Sequence, residues 1–373
     1  MGTRRSTVTA ALVVAALSLT ACGGGSSSDT TSPDGATDTT APADPNVDFD
    51  AAQQVAADMV AKCASGIAVT GRPVRIVTTV APLTSLVAAV VGDTGAEITG
   101  LVPEGTNSHT YEPPTSAAAS LENADIIFAN GLKLEDPTLE LAKKVAPNAV
   151  VCELSTAVLP ENEWIYDFSF PVSGGKPNPH TWTNPPHALQ MLSVIRDSVT
   201  ALDPTKVRAF DDNYVKASAA FMALDKAMET ATATLKEGQR KLVTYHDAYA
   251  YFAVHFGYQV VGAIQPSSFE EPSTKDVARL IEQIKQQGVK AIFGSEVFPS
   301  PVLEQIGKET GVRYVDSLRD DDLPGKPGDA EHSLLGLLKS NFSTIVSALG
   351  GKSAAIDAVK VSFGVPDKAV YPQ

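Results

Sequence analysis

Four side chains of types that bind transition metals are candidates for one site: His109, His180, His246 and Asp316. Neutral imidazole nitrogens suit zinc, copper, iron and nickel, whereas oxygen-rich ligand sets suit magnesium, calcium and manganese. Zinc commonly takes histidine together with a carboxylate or water. Three imidazoles and one carboxylate therefore indicate a transition-metal site, provided that the fold brings four distant positions together.

His180 has the most distinctive surroundings of the four candidates. It lies in the stretch Asn178-Pro179-His180-Thr181-Trp182-Thr183-Asn184-Pro185-Pro186. Each proline restrains its own backbone and that of the residue before it. A preformed metal ligand would benefit from this restraint. Taken alone, the stretch is more typical of a loop that enters a helix and contains a stacking histidine, so the metal-ligand interpretation depends on the other candidate ligands.

The elements that must position these residues alternate between short β-branched runs and helical stretches. We predict strands over 74–79, 96–102, 126–129, 149–152, 241–245, 259–263, 290–293 and 312–315. A long helical stretch opens after Asp203 and runs to about Leu235, on the order of 45 Å at the usual rise per residue. This alternation predicts an α/β fold with two lobes, each a parallel β-sheet flanked by helices, joined by a single long connecting α-helix.

Ligands of open α/β sheets bind beyond the carboxyl ends of the strands. His246 directly follows one predicted strand and Asp316 another, while His109 and His180 lie in loops of the first lobe. We therefore expect the metal site in the cleft between the lobes. Each position also has a structural interpretation, such as a helix cap for Asp316. Glu296 follows a further strand and is expected to act as a second-shell acceptor, a salt-bridge partner or an alternative ligand.

The N-terminal residues predict export. Arg4 and Arg5 precede a short apolar run that ends in Leu19-Thr20-Ala21-Cys22. This order indicates a signal peptide over 1–21, because the run is shorter than the ~20 residues of a permanent membrane span. The last four residues resemble a bacterial lipobox, which predicts lipidation of Cys22. A polar tether then covers 22–47, followed by an N-terminal lobe over 48–203, the connecting helix over 204–237 and a C-terminal lobe over 238–373.

The net charge and the cysteine count exclude one class of binding partner and predict one covalent link. The net charge is −14 and no basic stripe is present, which argues against nucleic acid. If Cys22 carries lipid, Cys63 and Cys152 remain as a pair. In an exported protein such a pair favours a disulfide over two buried thiols.

Several stretches together resemble one known family. They are Gly105-Thr106-Asn107-Ser108-His109-Thr110-Tyr111-Glu112-Pro113, Ala124-Asp125-Ile126-Ile127-Phe128-Ala129-Asn130-Gly131, Asn178-Pro179-His180-Thr181-Trp182, Asp203-Pro204, Tyr245-His246-Asp247-Ala248-Tyr249, Ser295-Glu296 and Val315-Asp316-Ser317. In this order they resemble the metal-binding solute-binding lipoproteins of bacterial ABC importers, the cluster A-I proteins that take up zinc and manganese. The resemblance covers about residues 74–349.

That resemblance carries specific expectations. It implies two lobes joined by one rigid helix, with a metal bound by His109, His180, His246 and Asp316. It also implies a monomer on the outer face of the cell membrane or in the periplasm, without enzymatic activity, that delivers its metal to an ABC permease. Manganese members usually have glutamate at the third ligand position, so His246 favours Zn²⁺, with Mn²⁺ as the alternative.

Two other functions fit parts of the sequence. A zinc hydrolase could use the same ligands with Glu296 as the base, but the His-Glu-x-x-His pattern is absent and four protein ligands would close the site. A surface adhesin or organic-solute binder would need an aromatic-lined cleft, and few aromatic residues flank these loops in the sequence.

Overall fold

The computed structural model describes residues 47–265 and 272–372. The predictions for the signal peptide, for Cys22 and for all but the last residue of the tether lie outside these ranges. Among the described helices, none combines the length and apolar character that crossing a membrane requires.

The first sheet is parallel and contains four strands. They are β1 (Arg75–Thr78), β2 (Glu97–Gly100), β3 (Ile126–Ala129) and β4 (Val150–Glu153), in the order β2-β1-β3-β4. Every residue of β3 is buried, as expected for a strand covered by helices on both faces. The accompanying helices are α1 (Phe49–Cys63), α2 (Ala81–Val91), α3 (Ala117–Glu122), α4 (Asp136–Val145) and α5 (Leu154–Val158).

The second sheet repeats this arrangement. Its strands are β5 (Lys241–His246), β6 (Gln259–Gln265), β7 (Ala291–Ser295) and β8 (Arg313–Leu318), all parallel, in the order β6-β5-β7-β8. The helices that follow the chain through this lobe are α8 (Ala250–Phe256), α9 (Thr274–Gln287), α10 (Pro301–Thr310), α11 (Leu334–Ala348) and α12 (Ala354–Asp357). The predicted fold class of two parallel-sheet lobes is confirmed.

Two long helices connect the sheets. They are α6 (Pro185–Leu202) and α7 (Val207–Thr232). Asp203 accepts a hydrogen bond from the backbone N–H of Thr205 and opens a short 3-10 turn, from which α7 begins. The 26 residues of α7 correspond to about 39 Å. The predicted long connecting helix is therefore present as α7, eight residues shorter than the predicted span of 204–237.

The apolar core does not stop at the boundary between the sheets. Ile76 of the first sheet, Phe221 of α7 and Phe293 of the second sheet belong to one continuous cluster of buried side chains. Close-packed interiors resist deformation. A core shared through α7 therefore restrains the movement of one lobe against the other.

Two features outside the sheets tie the ends of the chain to the first lobe. A disulfide joins Cys63, the last residue of α1, to Cys152 in β4. At the other end, Val370 forms a parallel bridge with Thr99 of β2. The final residues, which the sequence assigned to the C-terminal lobe, thus return to the edge of the first sheet.

Candidate metal centre

The three histidines come from three separate elements. His246 is the last residue of β5, and His109 lies in a 3-10 turn formed by Ser108–Thr110 in the loop after β2. His180 precedes the 3-10 turn of Thr181–Thr183 that leads into α6. In both sheets the strand order reverses beside the first strand, which is where open α/β sheets place their ligands.

The imidazole rings converge on one point. The Nε2 atoms of His109 and His180 are 3.0 Å apart, those of His109 and His246 are 3.1 Å apart, and those of His180 and His246 are 3.0 Å apart. Nitrogens that bind one zinc ion at about 2.0–2.1 Å each must lie within about 4 Å of one another. The three side chains therefore have the separation that a shared metal ion requires.

Asn178 fixes the orientation of His180. Its side-chain oxygen lies 2.8 Å from Nδ1 of His180 and also accepts the backbone N–H of His180. The amide nitrogen of Asn178 donates to the carboxylate of Asp167 and to the backbone carbonyl of Asp247. Because the amide nitrogen is used in this way, the oxygen must face His180, whose Nδ1 then carries the proton. Nε2 is left with a lone pair for a metal, the usual result of such an outer hydrogen bond.

Phe170 covers the histidines. Its ring stacks against His109 with 5.7 Å between centroids and meets His180 and His246 edge-on at 6.0 and 6.4 Å. Asp167 holds this loop by accepting the backbone N–H groups of Ser169 and Phe170. Few aromatic residues flank the site loops in the sequence, and Phe170 reaches the site from an irregular segment whose position the sequence does not reveal.

Burial keeps the three imidazoles neutral. The pKa of His246 falls to about 3 because its ring is buried. The pKa values of His109 and His180 also lie well below 6.5, through burial first and then through the neighbouring histidines. Metals bind the unprotonated ring. The site is therefore competent for metal at neutral and mildly acidic pH.

Two carboxylates line the same cavity. Asp320 and Asp321 face it together with the histidines, Asn107, Ser108 and Tyr245. Burial raises the pKa of Asp320 well above its usual range and that of Asp321 to about 7, and neighbouring aspartates add to both shifts. Confined negative charge of this kind is stabilised by a cation.

The loop that carries these aspartates is fixed by the opposite lobe. Trp182 donates its indole N–H to the backbone carbonyl of Asp320 at 3.0 Å. The carboxylate of Asp322 accepts the backbone N–H of Gly105 at 2.8 Å. Each contact joins a first-lobe residue to the loop after β8.

Asp316 does not join the histidines. β8 extends to Leu318, so Asp316 is an internal strand residue with an exposed side chain rather than a strand-end residue. The pairing of β8 with β7 is irregular between Val315 and Leu318, and the charge of Asp316 acts on Tyr314, whose pKa is raised by burial first and then by Asp316. The residues that line the cavity do not include it. The sequence placed the strand end three residues too early.

Glu296 also lies away from the cavity. Its carboxylate forms two hydrogen bonds with Arg319, at 2.7 and 2.9 Å, and its side chain is half exposed. Of the roles considered for Glu296, the structure shows the salt-bridge partner.

The fold and the site define a class of protein that binds a metal ion in the cleft between two α/β lobes. The family described as ZnuA, the periplasmic component A of a zinc-uptake complex, matches residues 76–348. The chain belongs to this family, which confirms the resemblance seen in the sequence. Its members are solute-binding proteins of ABC transporters and are not enzymes.

Relatives with curated names bind different metals. The manganese-binding lipoprotein MntA of Halalkalibacterium halodurans is 26% identical over 287 residues, covering 76% of this chain and 91% of MntA. The zinc-binding lipoprotein AdcA of Streptococcus pneumoniae is 27% identical over 297 residues, covering 77% of this chain and 58% of AdcA. The solved structure of the periplasmic zinc-binding protein TroA from Treponema pallidum has a TM-score of 0.67 at 27% identity, covering 75% of this chain and 99% of TroA. The chain is thus a metal-binding component of an ABC metal importer.

Sequence reasoning missed the run Asp320-Asp321-Asp322. A signal for it exists, since three successive aspartates after a strand are conspicuous in the printed sequence. Asn178 was recognised only as part of the stretch around His180. Its role as an outer hydrogen-bond partner depends on Asp167 and Asp247, which no local pattern connects.

Proposed function

We propose that this protein captures Zn²⁺ with high affinity outside the cytoplasmic membrane and delivers it to a membrane ABC permease. The observation that carries the proposal is the triangle of imidazole nitrogens 3.0–3.1 Å apart. Three imidazoles favour zinc over the harder manganese ion, which prefers oxygen. The ligand His246, in the position where manganese members usually have glutamate, points in the same direction.

The fourth ligand in this proposal is a carboxylate oxygen from Asp320 or Asp321. Both side chains line the cavity, and the charge of either would be neutralised by the metal. Asp316 does not fill this role, because it is exposed on β8. The proposed ligand set still contains three imidazole nitrogens and one carboxylate oxygen, but Asp320 or Asp321 supplies the oxygen in place of Asp316.

A manganese carrier of the same family is the second candidate. The acidic run Asp320-Asp321-Asp322 favours it, because additional carboxylate oxygens would suit Mn²⁺. The relative MntA is named for that metal. A hydrolytic use of the site has lost its candidate base, since Glu296 is engaged by Arg319.

The anchoring part of the proposal rests on residues before the described fold. Lipid on Cys22 and the tether over 22–47 would hold a monomeric binding domain at the outer face of the membrane, within reach of the permease. MntA and AdcA are both named lipoproteins.

Competitive metal loading tests the proposal. The domain without its tether is prepared metal-free, exposed to equal concentrations of Zn²⁺ and Mn²⁺, and measured by elemental analysis. We expect one equivalent of zinc and little manganese, with a stabilisation of about 2.7 kcal/mol at a hundredfold excess of zinc over Kd. A preference for manganese would support the second candidate, and binding of neither metal would overturn both.

A further inference from the structure

The last residues of the chain form a segment that the family match does not include. Residues 359–372, here called the C-terminal strap, follow α12 and lie beyond residue 348, where the match ends. The strap starts on the second lobe, where Lys339 of α11 donates to the backbone carbonyl of Val359. It then crosses α7, where Phe363 stacks on Phe221 with 6.2 Å between ring centroids.

The strap ends beside the edge strand of the first sheet, where Val370 forms a single parallel bridge with Thr99. Val370 donates its backbone N–H to the carbonyl of Ile98 at 2.9 Å and accepts the N–H of Gly100 at 3.0 Å. The edge strand β2 is thereby covered, as edge strands in native proteins usually are. Gly100 makes this approach possible, since a Cβ there would lie 3.3 Å from Pro372 and 3.2 Å from Thr84.

The same residues contact both loops that carry metal-site side chains. The carbonyl of Pro372 accepts the backbone N–H of Glu104 at 3.2 Å, in the loop that leads to His109. The ring of Tyr371 meets that of His332 edge-on at 4.7 Å between centroids. His332 belongs to the loop that begins with the aspartates after β8, and its Nδ1 lies 3.3 Å from the carbonyl of Pro324.

The two loops also bind each other at this place. The backbone N–H of Gly105 reaches the carboxylate of Asp322, and Arg319 lies 3.6 Å from the carboxylate of Glu104. Separation of the loop of His109 from the loop of Asp320 would break these contacts, and we expect metal release to require it. The strap contacts both, so it adds its own contacts to those that must break.

We infer that the C-terminal strap is a positioning element of the metal site that slows the release of bound metal. The strap joins β2 and Glu104 to the loop of His332. It thereby keeps the proposed ligands of the two lobes at fixed positions relative to one another. This inference rests on the proposed metal-capture function and deepens it, because it assigns control of release to residues 368–372.

A pair of substitutions at Val370 isolates the backbone contact. The side chain of Val370 is 61% exposed, so Val370→Ala should be neutral. Val370→Pro removes the N–H that binds Ile98. With the zinc-loaded full chain mixed with excess chelator, we expect release about five- to tenfold faster for Val370→Pro and unchanged for Val370→Ala. A chain that ends at Asp367 should release metal at least as fast as Val370→Pro.

Two results would overturn the inference. One is release at the wild-type rate from both Val370→Pro and the shortened chain. The other is equal acceleration by Val370→Pro and Val370→Ala, which would assign the effect to the side chain. A merely structural strap would lower the melting temperature of the metal-free protein without changing the release rate.

Hydrogen exchange separates this inference from the proposed function. If the wild-type chain binds no metal, the amide exchange of residues 98–109 in the metal-free protein still reports on the strap. We expect faster exchange in Val370→Pro than in Val370→Ala, with unchanged exchange in β5 and β6. Equal exchange in the two variants would show that the strap does not hold the loop.

Discussion

The histidine side and the acidic side of the metal site are held by different kinds of contact. His180 is oriented by Asn178, two residues away in sequence, and His246 is the final residue of a buried strand. Asp320 and Asp322 are held by residues of the opposite lobe, Trp182 and Gly105. The histidines lie at a strand end or in or beside short 3-10 turns of the two lobes, whereas the aspartates lie in a longer loop that is held by Trp182 and Gly105.

The histidine side and the acidic side are therefore expected to contribute differently to metal binding. In the proposed site we expect the three neutral, buried imidazoles to supply most of the affinity. We expect the acidic loop to add one carboxylate ligand while its contacts with Trp182 and Gly105 are intact. We therefore expect changes on the histidine side to abolish binding and changes on the acidic side to weaken it.

The largest effect should come from removing a histidine. His180→Ala takes away one of three converging nitrogens, so we expect the affinity for zinc to fall more than about 100-fold, beyond the 10- to 100-fold typical of outer-shell changes. Isothermal titration or competition with a chelating dye measures the change. His255→Ala is the matched control, because His255 pairs with Asp225 on the surface away from the site. Retained affinity in His180→Ala would contradict the triangle of nitrogens as the binding site.

A smaller effect is expected from the acidic side. Asp321→Asn and Asp320→Asn each remove one carboxylate from the cavity, and we expect zinc affinity to fall about 10- to 100-fold. Asp316→Asn is the matched control and should bind zinc normally. If Asp316→Asn weakens binding and the other two do not, the reassignment of the fourth ligand is wrong.

The same variants have a defined pH dependence. The pKa of Asp321 is raised to about 7, so its carboxyl holds a proton below that pH and metal must displace it. A carboxyl whose pKa is raised by folding favours the folded state at low pH, and this contribution is lost as pH rises through 7. At pH 8 the metal-free Asp321→Asn protein should therefore melt higher than wild type. Its zinc affinity should also vary less between pH 8 and 6, because His246, with a pKa of about 3, does not titrate there.

The smallest effect should come from the outer partner of a histidine. Asn178→Leu leaves all proposed ligands in place but removes the hydrogen bond that fixes the tautomer and the ring orientation of His180. We therefore expect about a tenfold loss of zinc affinity. Asn213→Leu is the matched control, since Asn213 is also buried and donates to a backbone carbonyl, that of Val90. Both variants should melt lower, and only Asn178→Leu should bind zinc more weakly. Equal affinities would assign Asn178 a structural role alone.

The structure brings the three predicted histidines together and leaves Asp316 apart from them, and the two outcomes have one cause. His180 and His246 are marked by proline restraint and by a strand end, both of which are local. The end of β8 is not marked locally, because Asp316-Ser317-Leu318 continues the strand through pairing of Leu318 with Ser295. The predicted strand ended three residues too early. The sequence therefore favoured Asp316, which is an exposed strand position, over the aspartates of the loop that begins after Leu318.

The C-terminal strap shows the same limit. Nothing in residues 359–372 predicts pairing with β2, because the partner, Ile98, lies in the other lobe. An isolated segment of this composition has no reason to prefer one sheet edge over another.

By itself the sequence determined the two α/β lobes and the long connecting helix, and it singled out the three histidines that the fold brings together. Alternating hydrophobic periodicity and restrained backbone are encoded within short windows, and parallel sheets place strand ends at a common edge. Only the tertiary structure decided which carboxylates line the cavity of the histidines, that Asn178 orients His180, and that residues 370–372 bind both site loops. These contacts join residues that are distant in sequence, so their geometry follows from packing of the complete fold and not from any local pattern.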